Sequence, residues 1–225
     1  MATTASSGAS RSRGGLTRSA IIEGAIELAD EIGLEPMTIR KLADHLGVKP
    51  MTLYHYVDGK DDIVDGMVGR VFDEVGVPEP AASWKDAIRE RAHALRAALI
   101  RHPWAIPIME SRRTPALDIL AHHEALIGAW LTAGFPLPLV AHGLAVVDAF
   151  TYGFALQETA LPLGDTGGDL DEAAEQIVMP LSPDEFPHLV RFTMEHVMQP
   201  GYHFGDSFDP GLDFILDGLE RAARG

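Results

Sequence analysis

The sequence predicts an all-α fold, with a three-helix N-terminal helix-turn-helix domain followed by a larger helical portion. Three observations predict it. Apolar residues recur at i, i+3, i+4 and i+7 along the long segments, which marks one face of a helix. Glycine and proline punctuate the ends of those segments, where helices stop. No stretch alternates with the period of two expected of a half-buried strand. With 225 residues and 46% hydrophobic content, the chain can bury a sizeable core. We expect an arm over residues 1–16, a helix-turn-helix domain over 17–64 and a helical body over 65–225.

Residues 1–16, MATTASSGASRSRGGL, are too small and polar to pack a core, so they read as a disordered tail. Arg11 and Arg13 give that tail some reach toward phosphate. Thr17 caps a helix to about Ile32, with Ile21, Ile22, Ala25, Ile26, Leu28, Ala29 and Ile32 as its apolar set and Gly33 as its stop. Arg18 stands near its start, within reach of a nucleic-acid backbone. The stretch Thr38–Lys60, TIRKLADHLGVKPMTLYHYVDGK, then reads as two short helices and a tight turn. Thr38 is an N-cap, Ile39, Leu42, Ala43 and Leu46 form one apolar face, and Gly47 can take the left-handed conformation that turns the chain. A second helix begins near Lys49 with Pro50 in its first turn, and Leu53 and Val57 face inward. Thr52, Tyr54, His55 and Tyr56 are left outward, between Lys49 and Lys60. Hydroxyls, an imidazole and ammonium groups can donate to phosphates and reach base edges in a major groove. The plainer alternative is an ordinary helical hairpin with aromatic residues on its surface.

Asp58-Gly59 is a turn signal, and Asp61 and Asp62 suit the first turn of a helix to about Val75, ended by Pro78-Glu79-Pro80. The body resumes with a helix from Ser83-Trp84 to about His102, stopped by Pro103, and a short one from Trp104 to Ser111. Thr114-Pro115 opens a helix to about Ala133. Residues 137–160 form a long helix that is apolar nearly all round, which predicts burial on most sides. A Gly/Asp-rich loop covers 161–171. Helices over about Pro183–Met198 and Gly211–Ala223 complete the chain.

Composition excludes several classes. Without cysteine there is neither a disulfide framework nor a thiolate metal site. No run of 18 apolar residues and no N-terminal apolar h-region are present, so neither a membrane span nor a secretory signal is expected, and the cytoplasm is the expected compartment. The ten histidines include no HExxH, and His122 and His123 point about 100° apart on a helix. No metal or other cofactor is expected. Walker A, GxGxxG and GxSxG motifs are absent, so nothing suggests catalysis. The net charge of −15 is unevenly spread: residues 1–60 hold seven Lys/Arg and seven Asp/Glu, and all the excess acid follows. A neutral reading module on a repelling body should suppress non-specific, electrostatic association with DNA; the acid equally well does no more than keep the body soluble.

Residues 17–64 resemble the N-terminal domain of the TetR family of transcriptional repressors. The matching features are AIELADEIG, the T-I-R-K-L-A-x-x-L-G-V run, T-L-Y-x-Y-V and a lysine before the next helix. The resemblance implies that the second helix of the motif enters the major groove. It assigns phosphate contacts to Tyr54 and Lys60, and base or sugar-phosphate contacts to Lys49, Pro50, Met51 and Thr52. Thr38, Arg40, His55 and Tyr56 complete the expected DNA-binding set. Pro50 and Met51 can touch thymine methyls but cannot hydrogen-bond a base edge through their side chains.

FTYGFALQE and GLDFILDGLE resemble the C-terminal domain of the same family more loosely. That implies a homodimer built on a four-helix interface, with the small residues Gly143, Ala145, Ala149 and Gly153 allowing close approach. Two reading motifs then meet a palindromic operator in double-stranded DNA. It further implies a pocket for a small apolar effector, for which the candidates are Trp104, Ile108, Met109, Trp130, Phe150, Phe154 and Met194. Glu110, Arg113, His123, Tyr152 and Gln157 are the candidate polar contacts. Taken singly, each apolar member reads first as plain core. The tetracycline repressors bind a drug–magnesium complex through histidines, and the corresponding places here hold Glu110 and Ala149, so tetracycline recognition is not expected. The competing classes are an all-helical enzyme and a dimeric scaffold that binds no DNA.

Overall fold

The computed structural model describes residues 15–76, 83–109, 117–160 and 182–224. Among these every regular element is helical: α1 (Arg18–Ile32), α2 (Ile39–Leu46), α3 (Pro50–Leu53), α4 (Lys60–Val75), α5 (Trp84–Arg101), α6 (Ile106–Met109), α7 (Leu117–Thr132), α8 (Leu137–Ala160), α9 (Pro187–Phe192) and α10 (Phe208–Arg224). A 3₁₀ turn, Pro103–Ala105, leads into α6, a π-helical turn, Thr193–Val197, extends α9, and a 3₁₀ turn, Phe204–Ser207, precedes α10. Most of the expected arm, Pro78-Glu79-Pro80, Thr114-Pro115 and the loop over 161–171 lie outside the described residues. The chain divides into two compact units, one ending at Met67 and the next beginning at Val68, inside α4 and three residues past the expected boundary.

In the first unit the caps do what their side chains dictate. Thr17 Oγ1 accepts from Ala20 N at 3.1 Å, and Thr38 Oγ1 accepts from Lys41 N at 3.2 Å. Gly47 sits at φ 69°, the left-handed conformation that turns α2 toward α3. Ile21, Ala25, Met37, Leu42, Ala43, Leu53 and Ile63 are buried together as its core. Helix α1 lies very close to its neighbours. A Cβ added at Gly24 would meet Leu46 Cδ2 at 2.5 Å, and one at Gly66 would meet Ile22 Cδ1 at 2.4 Å.

The second unit is centred on α5, which packs against α7 and α8, while α10 packs against α8. Its core joins Ile88 and Ala92 of α5, Leu126 and Trp130 of α7, Val147 and Phe154 of α8, and Phe208, Leu212 and Leu216 of α10. Gly143 lets α8 approach Trp130 so closely that a Cβ would stand 2.7 Å from the indole. Gly143 therefore serves this core, not the subunit contact expected of it. Helix α8 also corrects the expectation of burial on most sides. Val140, Val147, Thr151 and Phe154 turn inward, but Ala141, Ala145, Ala149, Val146 and Leu156 are exposed. By length and composition alone α8 could cross a bilayer, yet one of its faces is committed to this protein core. Helix α10 begins three residues earlier than expected, at Phe208, because Phe208 is fully buried and anchors its first turn.

Candidate nucleic-acid interface and effector region

Helix α3 is shorter than the sequence suggests. After Leu53 the backbone tightens, with His55 N donating to Thr52 O and Tyr56 N to Leu53 O, before Val57 N closes a full helical turn onto Leu53 O. Leu53 and Val57 are the anchors, 0% and 4% exposed. With those two fixed inward, Met51 (71% exposed), Tyr54 (50%) and Tyr56 (41%) are held outward, beside the exposed Lys49 and His55. Pro50 and Thr52 are half-buried, and Arg40 is exposed on α2. Thr38 also lies at the surface, its oxygen engaged in capping α2. Ten candidate residues thus occupy one segment, and α3 presents an exposed face that no packing requirement inside the unit explains.

Lys60 departs from expectation. Its ammonium, half-buried at the start of α4, donates to Met37 O at 2.7 Å and Leu34 O at 3.3 Å. Two of its three N–H directions are thereby spent on the loop between α1 and α2. Arg18, expected near a nucleic-acid backbone, pairs with Asp62 at 2.7 Å and so ties α1 to α4. The guanidinium holds the Asp62 carboxyl below its ordinary range, helped by the backbone N–H of Asp58, while partial burial opposes them. His45 of α2 meets Glu27 of α1 at 3.2 Å. The reading surface therefore rests on a frame braced at three points.

The candidate effector residues separate into groups. Trp104 and Met109 are buried near the 3₁₀ turn and α6, and Ile108 is half-buried beside them in the chain. Trp130 is 0% exposed and packs on Trp84 and Phe135 at 4.7 and 4.8 Å, so it lines no open cavity. Phe150 and Phe154 do come together, around Phe208, at 5.3 and 5.1 Å. Phe154 further stacks on Phe204 at 4.7 Å, and Arg96 lies over it at 5.3 Å while bonding Glu158 in bidentate fashion. His123 and Tyr152 are half-buried; Gln157 and Met194 are exposed. Met194, Gln157 and Trp130 are thus displaced from the wall expected of them, the first two by facing solvent and the third by enclosure. Glu110 and Arg113 lie outside the described residues.

Sequence reasoning passed over three features here. An open groove of about 520 Å³ is lined by His196, Tyr202, His203, Pro210 and Phe214 among others. Arg91 of α5 is 4% exposed and paired with Asp148 of α8. His122 of α7 is also 4% exposed, and its ring meets Phe72 edge-on at 6.2 Å. Burial first, and then the positive charge of Arg91, push the His122 imidazole below its ordinary pKa; Asp73 opposes them. A charged residue in the middle of an apolar helix pattern, as Arg91 is, was the available signal.

Comparison with known proteins agrees with this anatomy. Residues 21–67 match the sequence profile of bacterial regulatory proteins of the tetR family, and residues 77–223 match that of the tetracyclin repressor-like C-terminal domain. An HTH-type transcriptional regulator of Saccharopolyspora erythraea is 34% identical over 215 residues, covering 95% of this chain and 89% of the relative. The structure of a possible TetR family regulator from Streptomyces coelicolor aligns with a TM-score of 0.71 at 30% identity, covering 91% of this chain and 99% of the other. ActR of Streptomyces coelicolor in complex with actinorhodin aligns with a TM-score of 0.73 at 25% identity, over 93% and 99% of the two chains. With both domains matched along nearly the whole chain, this chain belongs to the TetR family of transcriptional regulators.

Proposed function

We propose that this protein is a cytoplasmic repressor, not an enzyme, that reads a palindromic operator as a homodimer and is released by a small, largely apolar effector. The observation that carries the reading is the surface of α3. Leu53 and Val57 are sealed inward while Met51, Tyr54 and Tyr56 are held in solvent beside Lys49. Exposed aromatic and apolar groups at such a density cost solubility unless they meet a partner. A major groove offers thymine methyls to Met51 and phosphates to Lys49, Thr52 and the tyrosine hydroxyls. Arg40 and Thr38 on α2 stand where that helix crosses the backbone, and His55 and Pro50 complete the surface. Lys60 contributes mainly by fixing the loop beneath α3. Effector release is supported by the ActR–actinorhodin complex, a relative of matching architecture bound to a small molecule. The effector must favour the state that does not bind DNA, since equal affinity for both states shifts nothing.

The test is selection of bound duplexes from a random pool, followed by titration with salt. A palindrome with half-sites about one helical turn apart, near 34–36 Å, should be retained at salt that abolishes random-duplex binding. Equal salt sensitivity of selected and random duplexes, or a strict monomer at micromolar concentration, refutes the proposal.

A further inference from the structure

The core of the second unit contains polar groups that its fold does not use. Arg91 and His122 are both 96% removed from solvent. Arg91 Nη1 is paired with Asp148, but Arg91 Nε and His122 Nε2 have no hydrogen-bond partner among the described residues. They stand on α5 and α7, helices that pack on each other and on α8. Their neighbours in the helices, Leu95, Leu99 and Leu126, are fully buried aliphatic residues. Apolar residues would therefore suit these positions, and a buried ion pair is commonly less stabilising than the apolar packing that could replace it. A guanidinium N–H and an imidazole nitrogen buried without a protein partner cost stability. Trp130 Nε1 is a third such atom. Its ring, however, is closed in by Trp84, Phe135 and the backbone of Gly143, so a ligand cannot reach it.

We propose that Arg91 and His122 form the polar end of the effector site, and that the effector is an uncharged, mostly apolar molecule presenting a carbonyl-type oxygen to them. This rests on the effector-release reading above. Charge selects the class. Asp148 already balances Arg91, and burial keeps His122 neutral, so the pair offers hydrogen bonds without net charge. An anion would arrive uncompensated in a low-dielectric interior, near Asp73 and within a chain of net charge −15. A cation would meet Arg91. A neutral acceptor takes the Arg91 Nε–H, and the His122 tautomer carrying its proton on Nε2 can donate to the same oxygen. The face of the site toward α4 is apolar, supplied by Phe72.

The test uses the full chain with 9-fluorenone and fluorene, which share one tricyclic frame and differ only by a carbonyl in place of a methylene. Equilibrium binding should favour fluorenone at least about tenfold, because a site with buried donors rejects an analogue lacking the acceptor. The ¹⁵N resonances of Arg91 Nε and His122 Nε2 should shift with fluorenone and not with fluorene. Arg91→Lys and His122→Leu should each abolish the preference. Equal affinity for the two probes, no binding of either, or a preference that survives both substitutions overturns the site. The wild-type probe comparison and the ¹⁵N shifts decide the matter even where a variant folds poorly. If fluorenone binds with the expected preference but operator affinity does not change, the site stands and effector release fails.

Discussion

Replacing Lys60 by Met separates two roles for one ammonium. In the structure it donates to Met37 O at 2.7 Å and Leu34 O at 3.3 Å. Hydrogen bonds to charged groups contribute about 1.5–3 kcal/mol each. The longer of these two is the weaker. Met keeps the apolar stem, and water can reach the loop carbonyls because Glu35 and Pro36 are exposed. The net loss should be about 1–2 kcal/mol, or roughly a 5–30-fold rise in the open population. All three tryptophans lie in the second unit, so their fluorescence does not report this loss. Amide hydrogen exchange over residues 18–67 does, and protection there should fall by that factor. The salt dependence of operator binding should stay nearly unchanged. Lys49→Ala, by contrast, should flatten the slope by about 0.9 per phosphate contact, one contact per subunit. If Lys60→Met flattens the slope as Lys49→Ala does and leaves exchange protection intact, the ammonium leaves its carbonyls to grip phosphate and the structural role is refuted.

Four further outcomes follow from the same geometry. Tyr54→Phe should weaken operator binding by about 0.5–1.5 kcal/mol, the worth of one hydrogen bond, without altering thermal stability, since the ring is half exposed; unchanged affinity places the hydroxyl off the DNA. Gly143→Ala should destabilise the second unit by about 1–3 kcal/mol in urea, because the new Cβ meets the Trp130 ring at 2.7 Å. Burial holds the folded-state pKa of His122 below the ordinary imidazole value of about 6.5, so below that pH the unfolded chain takes up a proton that the folded chain refuses. Stability should fall as pH drops from about 6.5 toward the lowered pKa, and His122→Leu should remove that slope; a slope that survives the substitution has another source. Asp62 acts lower: its depressed pKa adds stability that is present above the unfolded carboxyl value, and is lost as pH falls through the folded one. Arg18→Met should abolish that acid-side loss as measured by exchange in the first unit.

The fold was legible because its signals are local. Thr17, Thr38 and Gly47 cap where their chemistry says they should, and the periodicity of α1 and α2 assigns their buried faces. The outward set on α3 was legible for the same reason, since Leu53 and Val57 four apart leave only one side of the helix to face out. What escaped depends on contacts between residues distant in sequence. Nothing near Lys60 in the chain says that two carbonyls more than twenty residues earlier will take its ammonium. The tightening of α3 after Leu53 follows from closing a loop onto α4, which helix propensity does not contain. Helix α8 misled because uniform apolarity signals burial without saying by what; a second copy of the chain serves as well as the first. Trp130 was readable as a pocket wall or as core, and only the proximity of Gly143 and Trp84 decides.

The acid excess also changes meaning in three dimensions. Asp209, Asp213 and Asp217 recur every four residues along α10, and His93, Arg89 and Lys85 run the opposite way along α5 to meet them. Glu220 joins at Lys85 at 3.0 Å. Such exposed pairs contribute at most about 1 kcal/mol each, so the ladder cannot be what holds the unit together. It can set the rotation of α10. With the acids toward α5, Leu212, Leu216 and Leu219 turn into the core, and Phe214 is left 77% exposed. Burying a phenylalanine is worth about 1.5–3 kcal/mol, and the monomer forgoes that gain here. Leu137, Val146 and Leu156 of α8, the helix packed against α10, forgo theirs as well. Pairing the acids of α10 with α5 therefore meets part of the chain's acid excess inside the unit itself.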